Sequence, residues 1–268
     1  MPSSYAKRIQ GFTLIELITV LVILGIVAAI GSNFLVTTVD TYDTVQKRTK
    51  LLNRGRTAIE QMARQIRIAV PNSVRVSGSG NCIEFMPIVA GANYLSDVPD
   101  NQNLAPATSN IPTSPFSQDF GTAAHVIVAG LDTNEIYATG SGISRVGVGA
   151  LGAGPSYNSI PLASAHRFFR NSNSRRVFIA ANPQRFCLIG TSLLEYSGYG
   201  LSTAAISDLA PMGSNSSVIS ENVSANGVAF ALSAGSEDIN TSVDIALSFS
   251  NGGNSVSLTQ QVLIRNVP

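Results

Sequence analysis

Gly11-Phe12-Thr13-Leu14-Ile15-Glu16-Leu17-Ile18 opens an apolar run that continues to about Leu35. Between Phe12 and Leu35 the only charged side chain is Glu16. The rest is Leu, Ile, Val, Ala and Gly with scattered Thr, Ser and Asn. About 20 apolar residues cross a bilayer as a helix, so this run is long enough to span one. An ionised carboxylate near its start costs roughly 2.5 to 3.5 kcal/mol on insertion scales, which marks Glu16 as a functional residue in search of a partner. The run follows a short polar peptide ending in Lys7-Arg8-Ile9-Gln10-Gly11.

The string Lys7-Arg8-Ile9-Gln10-Gly11-Phe12-Thr13-Leu14-Ile15-Glu16-Leu17 resembles the class III signal peptide of type IV pilins and type II secretion pseudopilins. The resemblance implies cleavage after Gly11 by a prepilin peptidase and methylation of the new N-terminus on Phe12. By count, Glu16 is the carboxylate at mature position five, the assembly residue. A conventional secretory signal is the competing reading, because Val27-Ala28-Ala29-Ile30-Gly31 offers small residues after an apolar core. That reading leaves the Gly-Phe-Thr-Leu-x-Glu junction unexplained. Lys47, Arg48, Lys50 and Arg54 beyond the span outnumber Lys7 and Arg8, against the positive-inside rule. The family resemblance therefore places the head in the periplasm, and charge counting does not.

Helical spacing continues past the membrane run, and no proline stands between Pro2 and Pro71. Leu52, Ile59, Met62, Ile66 and Val70 lie on one helical face, with Arg54, Arg64 and Arg67 opposite. A single helix from Phe12 to about Ala69 would be roughly 87 Å long. Pro71-Asn72 stops it, while Gly25, Gly31-Ser32-Asn33 and Gly55 are its weak points. Many pilins have a proline near mature position 22; Asn33 stands there here. The segment Lys47 to Arg67 holds seven basic residues against Glu60. It reads as a solvated helix face, or more sharply as a stripe that meets acids of neighbouring subunits or a polyanion.

Beyond residue 70 the pattern becomes short alternating runs. Val74–Val76 and Cys82–Pro87 read as two strands, and Ala90 to Phe120 as a long surface loop. Further strand candidates are Ala124–Val128, Glu135–Ala138, Arg176–Ala180, Arg185–Leu188 and Val228–Leu232. Val243, Ile245, Leu247 and Phe249 alternate with polar residues, Asn251-Gly252-Gly253-Asn254 turns, and Val256, Leu258, Val262 and Ile264 return. These predict an antiparallel hairpin with one face on the helix. The fold expectation is α+β: a leader over 1–11, a helix over 12–70 with 12–35 in the membrane, and a β-rich head with antiparallel sheet over 71–268.

Bulk numbers agree with an exported β-rich domain. Charged residues are only 12 %, and removing Lys7 and Arg8 from the 17 basic residues leaves 15 against 16 acids, a net charge of −1. Near-neutrality argues against a nucleic-acid partner. Cys82 and Cys187 are an even pair in a chain whose N-terminus suggests export, which reads as a disulfide, with two buried free thiols as the alternative. Such a bridge would contribute about 4 to 5 kcal/mol in the chain-entropy model.

No constellation supports catalysis, a metal centre or a cofactor. His125 and His166 lack companions at ligand or triad spacing and read as structural or surface residues. Gly147-Val148-Gly149-Ala150-Leu151-Gly152 satisfies Gly-x-Gly-x-x-Gly but is followed by Ala-Gly-Pro-Ser instead of a helix, so it reads as a flexible loop. Asp132-Thr133-Asn134-Glu135 reads as a turn, with oxygen ligation of calcium, known for some pseudopilin heads, as the sharper alternative. His166-Arg167-Phe168-Phe169-Arg170 reads as packing, or as a surface for carbohydrate or a strand.

A narrower resemblance comes from Ala58-Ile59-Glu60 through Arg67, Pro71–Val76, Cys82–Ile88 and the ending Asn266-Val267-Pro268. These are similar to minor-pilin-like biogenesis proteins of the mannose-sensitive haemagglutinin (MSHA) pilus. The resemblance implies a subunit stored in the inner membrane, then incorporated at or near the filament tip on the cell surface. Its partners would be other minor and major pilins, the prepilin peptidase and the inner-membrane assembly platform. Type II secretion pseudopilin, and tip adhesin or DNA-uptake module with contacts in 90–180, are the alternative functions.

Overall fold

The computed structural model describes residues 11–117, 121–138, 143–150, 156–233 and 240–264. The fold is α+β, a long apolar helix followed by antiparallel sheets. Helix α1, Leu14–Arg67, starts in one compact unit that extends to Lys50 and ends in a second that runs from Leu51 to the C-terminus. It is unbroken through Gly25, Gly31 and Gly55. Its apolar first half is long enough to cross a membrane, and Phe12, Leu14, Ile23, Leu24 and Phe34 are all exposed. The hydroxyls of this half are satisfied within the helix: Thr19 donates to the Ile15 and Glu16 carbonyls, Ser32 to Ala29, Thr38 to Phe34 and Thr41 to Thr37. A hydroxyl that bonds its own backbone adds little polar cost in hydrocarbon.

In the second unit the helix keeps the predicted face. Leu51, Ala58, Ile59, Met62, Ala63 and Ile66 are buried in one core with Phe85, Phe186, Phe230, Val243, Ile245 and Phe249. The helix ends at Arg67, three residues before the expected boundary. Residues 68–70 leave it to pair with the strand ahead: Ile88 N donates to Ile68 O and Val70 N to Met86 O, both at 2.8 Å. Asn72 then adopts φ 61°, the left-handed conformation that Asn tolerates better than most residues.

Four sheets follow. The first has the order β1-β2-β9-β10-β11, with β1 Arg75–Val76, β2 Cys82–Phe85, β9 Gln184–Ile189, β10 Ser192–Ser197 and β11 Asn215–Glu221. Cys82 faces Cys187 across the β2–β9 ladder, and the disulfide joins them at an S–S distance of 2.02 Å.

The second system replaces the surface loop expected over 90–120. Here β3 Ile88–Asn93, β8 Arg176–Ala180, β5 His125–Val128 and β6 Arg145–Gly147 form one sheet, while β4 Thr108–Phe116 pairs with β7 Tyr157–His166. Bridges Tyr94–Thr113 and Val148–Leu162 carry the ladder from β3 to β4 and from β6 to β7. The six strands thus follow one another in a barrel-like ring around Ile111, Val126, Val128, Ile160, Val177 and Ile179. Pro112 and Pro115 contribute to the loop reading of 90–120, yet proline is tolerated where a ladder is bulged, as the β4–β7 ladder is. Gly147 also belongs to a strand, β6; Leu151 and Gly152 lie outside the described residues.

The expected strand at Glu135–Ala138 is instead the short helix α2, Thr133–Tyr137. Asp132 caps it by accepting from Asn134 N at 2.6 Å. The turn expected at Asp132–Glu135 is therefore its first turn, with the Asp carboxylate committed to the cap.

The last sheet contains β12 Val223–Ser224, β13 Phe230–Ser233, β14 Thr241–Asn251 and β15 Asn254–Ile264. The β14–β15 hairpin is the one the alternation predicts, in register from Thr241–Ile264 to Asn251–Asn254, with Gly252 and Gly253 at φ 55° and 84°. Both signs match a type I′ turn, where Gly carries no steric cost. Gly55 on α1 lies against this hairpin so closely that a Cβ there would stand 2.7 Å from Leu258 Cδ1 and 2.8 Å from Phe249 Cδ2.

Two outcomes follow. Gly55→Val overfills that contact and lowers unfolding stability by about 1 to 3 kcal/mol, read by urea denaturation. Replacing Cys82 and Cys187 by Ala releases the 105-residue loop and lowers stability by about 4 kcal/mol in the same measurement.

Candidate functional site

The first candidate is the start of α1. Thr13 precedes the helix and Glu16 stands three residues on, the spacing of a capping box. Thr13 N and Thr13 Oγ1 donate to Glu16 Oε2 at 3.2 and 3.1 Å, and Glu16 N donates to Thr13 Oγ1 at 3.4 Å. The carboxylate also meets the positive end of the helix dipole. One oxygen, Oε2, takes both Thr13 donors; Oε1 has no hydrogen bond among the described residues. Gly11 and Phe12 are exposed and flank this cap directly, and Phe12 is 83 % accessible. The structure thus places the three N-terminal residues named from sequence on one short exposed segment.

The second candidate lies in the head and was not foreseen. Glu84 on β2 is buried and accepts from two guanidiniums and a phenol. Arg75 Nε reaches Oε1 at 2.7 Å, and Arg185 Nη2 and Nε reach Oε2 at 2.6 and 3.0 Å. Tyr199 Oη donates to Oε2 at 2.9 Å. The surplus positive charge is spread over carbonyls: Arg75 donates to Ser202 and Ala204, and Arg185 to Ser207 and Leu209. Arg75 also stacks on the Tyr137 ring at 3.9 Å. Burial, then the Glu84 charge, pushes the Tyr137 and Tyr199 phenols far up, so both remain neutral donors. The network holds the segment from Tyr199 to Leu209 on the first sheet. The sequence does contain a signal for it: once Cys82 faces Cys187 in an antiparallel ladder, Glu84 must face Arg185.

The remaining candidates have structural roles. His125 is buried with Nε2 3.0 Å from Asn182 Oδ1 and Nδ1 3.2 Å from Arg145 Nη1. Burial first, and the Arg145 charge second, lower its pKa to about 4. His166 Nε2 lies 2.9 Å from the Ile143 carbonyl, and its ring meets Phe168 edge-on. Arg170 forms a two-pronged pair with Glu135 at 2.8 Å per bond and stacks on Phe169. Burial raises the Glu135 carboxyl, but the Arg170 and Ser144 donors outweigh it and leave its pKa lowered. Both Glu135 and Asp132 are therefore engaged by protein donors. Among the described residues no group of three or more His, Cys, Asp or Glu could hold a metal ion. In the basic stripe, Lys47 pairs with Asp43 and Arg54 donates to Ser220 Oγ at 2.8 Å, while Arg56, Arg64 and Arg67 are exposed.

Glu84→Gln leaves the buried Arg185 and half-buried Arg75 guanidiniums undercompensated and costs about 3 kcal/mol, read by denaturant unfolding with proteolysis of 199–209 as a local probe. His125 gives a pH dependence of known sign. Its folded pKa, about 4, lies below the unfolded value near 6.5, so the unfolded chain binds the extra proton between them. Stability falls as pH drops from about 6.5 to 4, by at most about 3 kcal/mol. His125→Gln should flatten that part of the stability–pH curve; an unchanged slope would refute the assignment.

Comparison with known proteins yields one match. The prokaryotic N-terminal methylation motif matches residues 6–32. No curated protein and no solved structure matches the chain. The matched span contains the exposed cap of α1 and most of the membrane-length run, so the chain carries a type IV pilin-like class III signal and an apolar helix of the kind that anchors such proteins in the inner membrane. The motif indicates a type IV pilin-like or pseudopilin-like protein.

Proposed function

We propose that this chain is a minor pilin, MshO-like, of an MSHA-type type IV pilus, and that it takes part in initiation or tip assembly of the filament. The observation that carries the reading is the single carboxylate of Glu16 near the start of an otherwise uncharged apolar run, Phe12 to Leu35, whose large side chains are exposed and most of which lies within the methylation motif. Cleavage after Gly11 frees the Phe12 amine, which is then methylated. An ammonium and a carboxylate from neighbouring subunits offset each other's desolvation in apolar surroundings. Glu16 Oε2 already serves its own helix cap, which leaves Oε1 for the neighbour's Phe12 ammonium. Glu16 therefore acts first within the subunit and then between subunits.

On this reading residues 1–11 are the leader, the helix is stored in the membrane, and the head faces the periplasm before it reaches the cell surface. The chain is a substrate of prepilin peptidase and performs no catalysis itself. Its partners are other pilins and the inner-membrane platform. A type II secretion pseudopilin shares the same motif and is the second reading. Deletion separates them: loss of surface fibres supports the pilus, whereas loss of enzyme export with fibres intact supports secretion.

Mass spectrometry of the membrane form should show an N-terminus at Phe12 carrying one added methyl, and Gly11→Leu should leave the precursor uncut. Glu16→Val should be processed normally yet fail to co-purify with other minor pilins. Wild-type recovery of those partners would refute the charge-pair account.

A further inference from the structure

The strand β15 is an edge. Among the described residues it pairs only with β14, and its eleven residues, Asn254–Ile264, follow one continuous register without a bulge. The two-residue turn fixes which backbone groups are used. Asn251 and Asn254 flank Gly252-Gly253 and form the hydrogen-bonded pair that closes a type I′ hairpin. Counting on from that pair, Asn254, Val256, Leu258, Gln260, Val262 and Ile264 exchange their main-chain bonds with β14. Ser255, Ser257, Thr259, Gln261 and Leu263 point their N–H and C=O groups away from it. The same parity on β14 is visible directly: Ala246 N and Ser250 N donate to the opposite side, to Ala229 and Asn222.

The other described edges carry features that discourage strand addition. The first sheet ends on β1, two residues long, and on β11, where the extra residue Ile219 forms a bulge. In the barrel-like ring the edges of β3 and β6 meet β4 and β7. Strands β12 and β13 have only two and four residues. By contrast β15 has no charged residue, no proline and no bulge. Its inward row is apolar at Val256, Leu258, Val262 and Ile264, and its outward row is polar until Leu263.

Beside the end of this strand lies a groove of about 500 Å³. Leu263 lines it together with the apolar Ile68, Ala69, Ile88 and Phe178 and the basic Arg67 and Arg176. Neither guanidinium has an ion pair among the described residues. An open main-chain edge next to an apolar side-chain pocket is the arrangement by which sheets recognise extended peptides: the edge supplies affinity and the pocket specificity.

We propose that β15 is a strand-addition site for another filament subunit. The partner contributes an uncharged extended segment, polar and apolar by turns, which pairs with Ser255, Ser257, Thr259, Gln261 and Leu263. An apolar, non-basic end of that segment fills the groove beside Leu263. This inference rests on the filament reading for the identity of the partner; the edge geometry is independent of it.

Thr259→Pro tests the edge selectively, because the N–H it removes points away from β14. The full-length chain in its own cells should then be cut after Gly11, form Cys82–Cys187 and resist proteolysis, yet recover at least about tenfold less of the other subunits on purification. Gln260→Pro removes a bond to β14 and serves as the disruptive control, with loss of protease resistance. Independently, p-benzoylphenylalanine at Leu263 should cross-link to a chain that itself carries the methylation motif, within an uncharged strand. A cross-link only to a second copy of this chain, or normal recovery of partners by Thr259→Pro with no cross-link at Leu263, would overturn the proposal. Failure of cleavage at Gly11 in the wild-type chain would instead sink the filament reading, whatever happens at β15.

Discussion

A helix whose side chains are apolar on every side has to be covered by something other than water. The first half of α1 meets that condition from Phe12 to Leu35, where every large apolar side chain is exposed, whereas Leu51 and the residues after it belong to a buried core. Lipid and neighbouring helices are the two surroundings that can meet the demand, and a subunit that exchanges one for the other needs a helix acceptable to both. The internal bonds of Thr19, Ser32, Thr38 and Thr41 keep that surface free of unsatisfied hydroxyls in either setting. Against so uniform a background one carboxylate dominates the electrostatics, since the interaction of a charge grows as the dielectric falls.

The second half of the same helix solves the ordinary problem of a soluble domain. Its buried stripe supplies one wall of the core, and Gly55 lets the terminal hairpin approach within van der Waals contact. Thus a continuous 54-residue element changes environment without changing conformation. It ends at Arg67, residues 68–70 pair with the incoming chain at Met86 and Ile88, and Pro71 and the left-handed Asn72 then turn the backbone.

What could be read in advance follows from how local each signal is. The helix and the β14–β15 hairpin were legible because their periodicities run for many residues without interruption. The disulfide was legible from two cysteines and an export signal. The β4 strand was not, because Asn, Pro, Ser and Thr dominate there and only a few positions, such as Ile111 and Thr113, face inward; β3 was hidden by its Ala90-Gly91-Ala92, which carries no strand signal. Helix α2 was mistaken for a strand, although Asp132 three residues ahead of Glu135 has the spacing of a helix cap. The buried Glu84 joins Arg75, Arg185 and Tyr199 across up to 115 residues; no window of sequence reveals such a contact until a register is known. At the N-terminus the residue types pointed to Glu16, but its bond to Thr13 required coordinates.

The ring of strands from β3 to β8 leaves the first sheet at Pro87 and rejoins it at Ala181, and these two residues are hydrogen-bonded to each other at 3.0 Å. Just outside that neck, Phe85 pairs with Gln184 and the Cys82–Cys187 bridge closes the ladder. The intervening ninety or so residues are therefore a cassette whose two ends are held together by structure that does not depend on what lies between them. Such a cassette can diverge or lengthen wherever it keeps the contacts that tie it to the rest of the head, Tyr137 with Ser73 and Arg75 and Gly130 with Asn72. The ring and the rest of the head can then change on separate schedules within one chain.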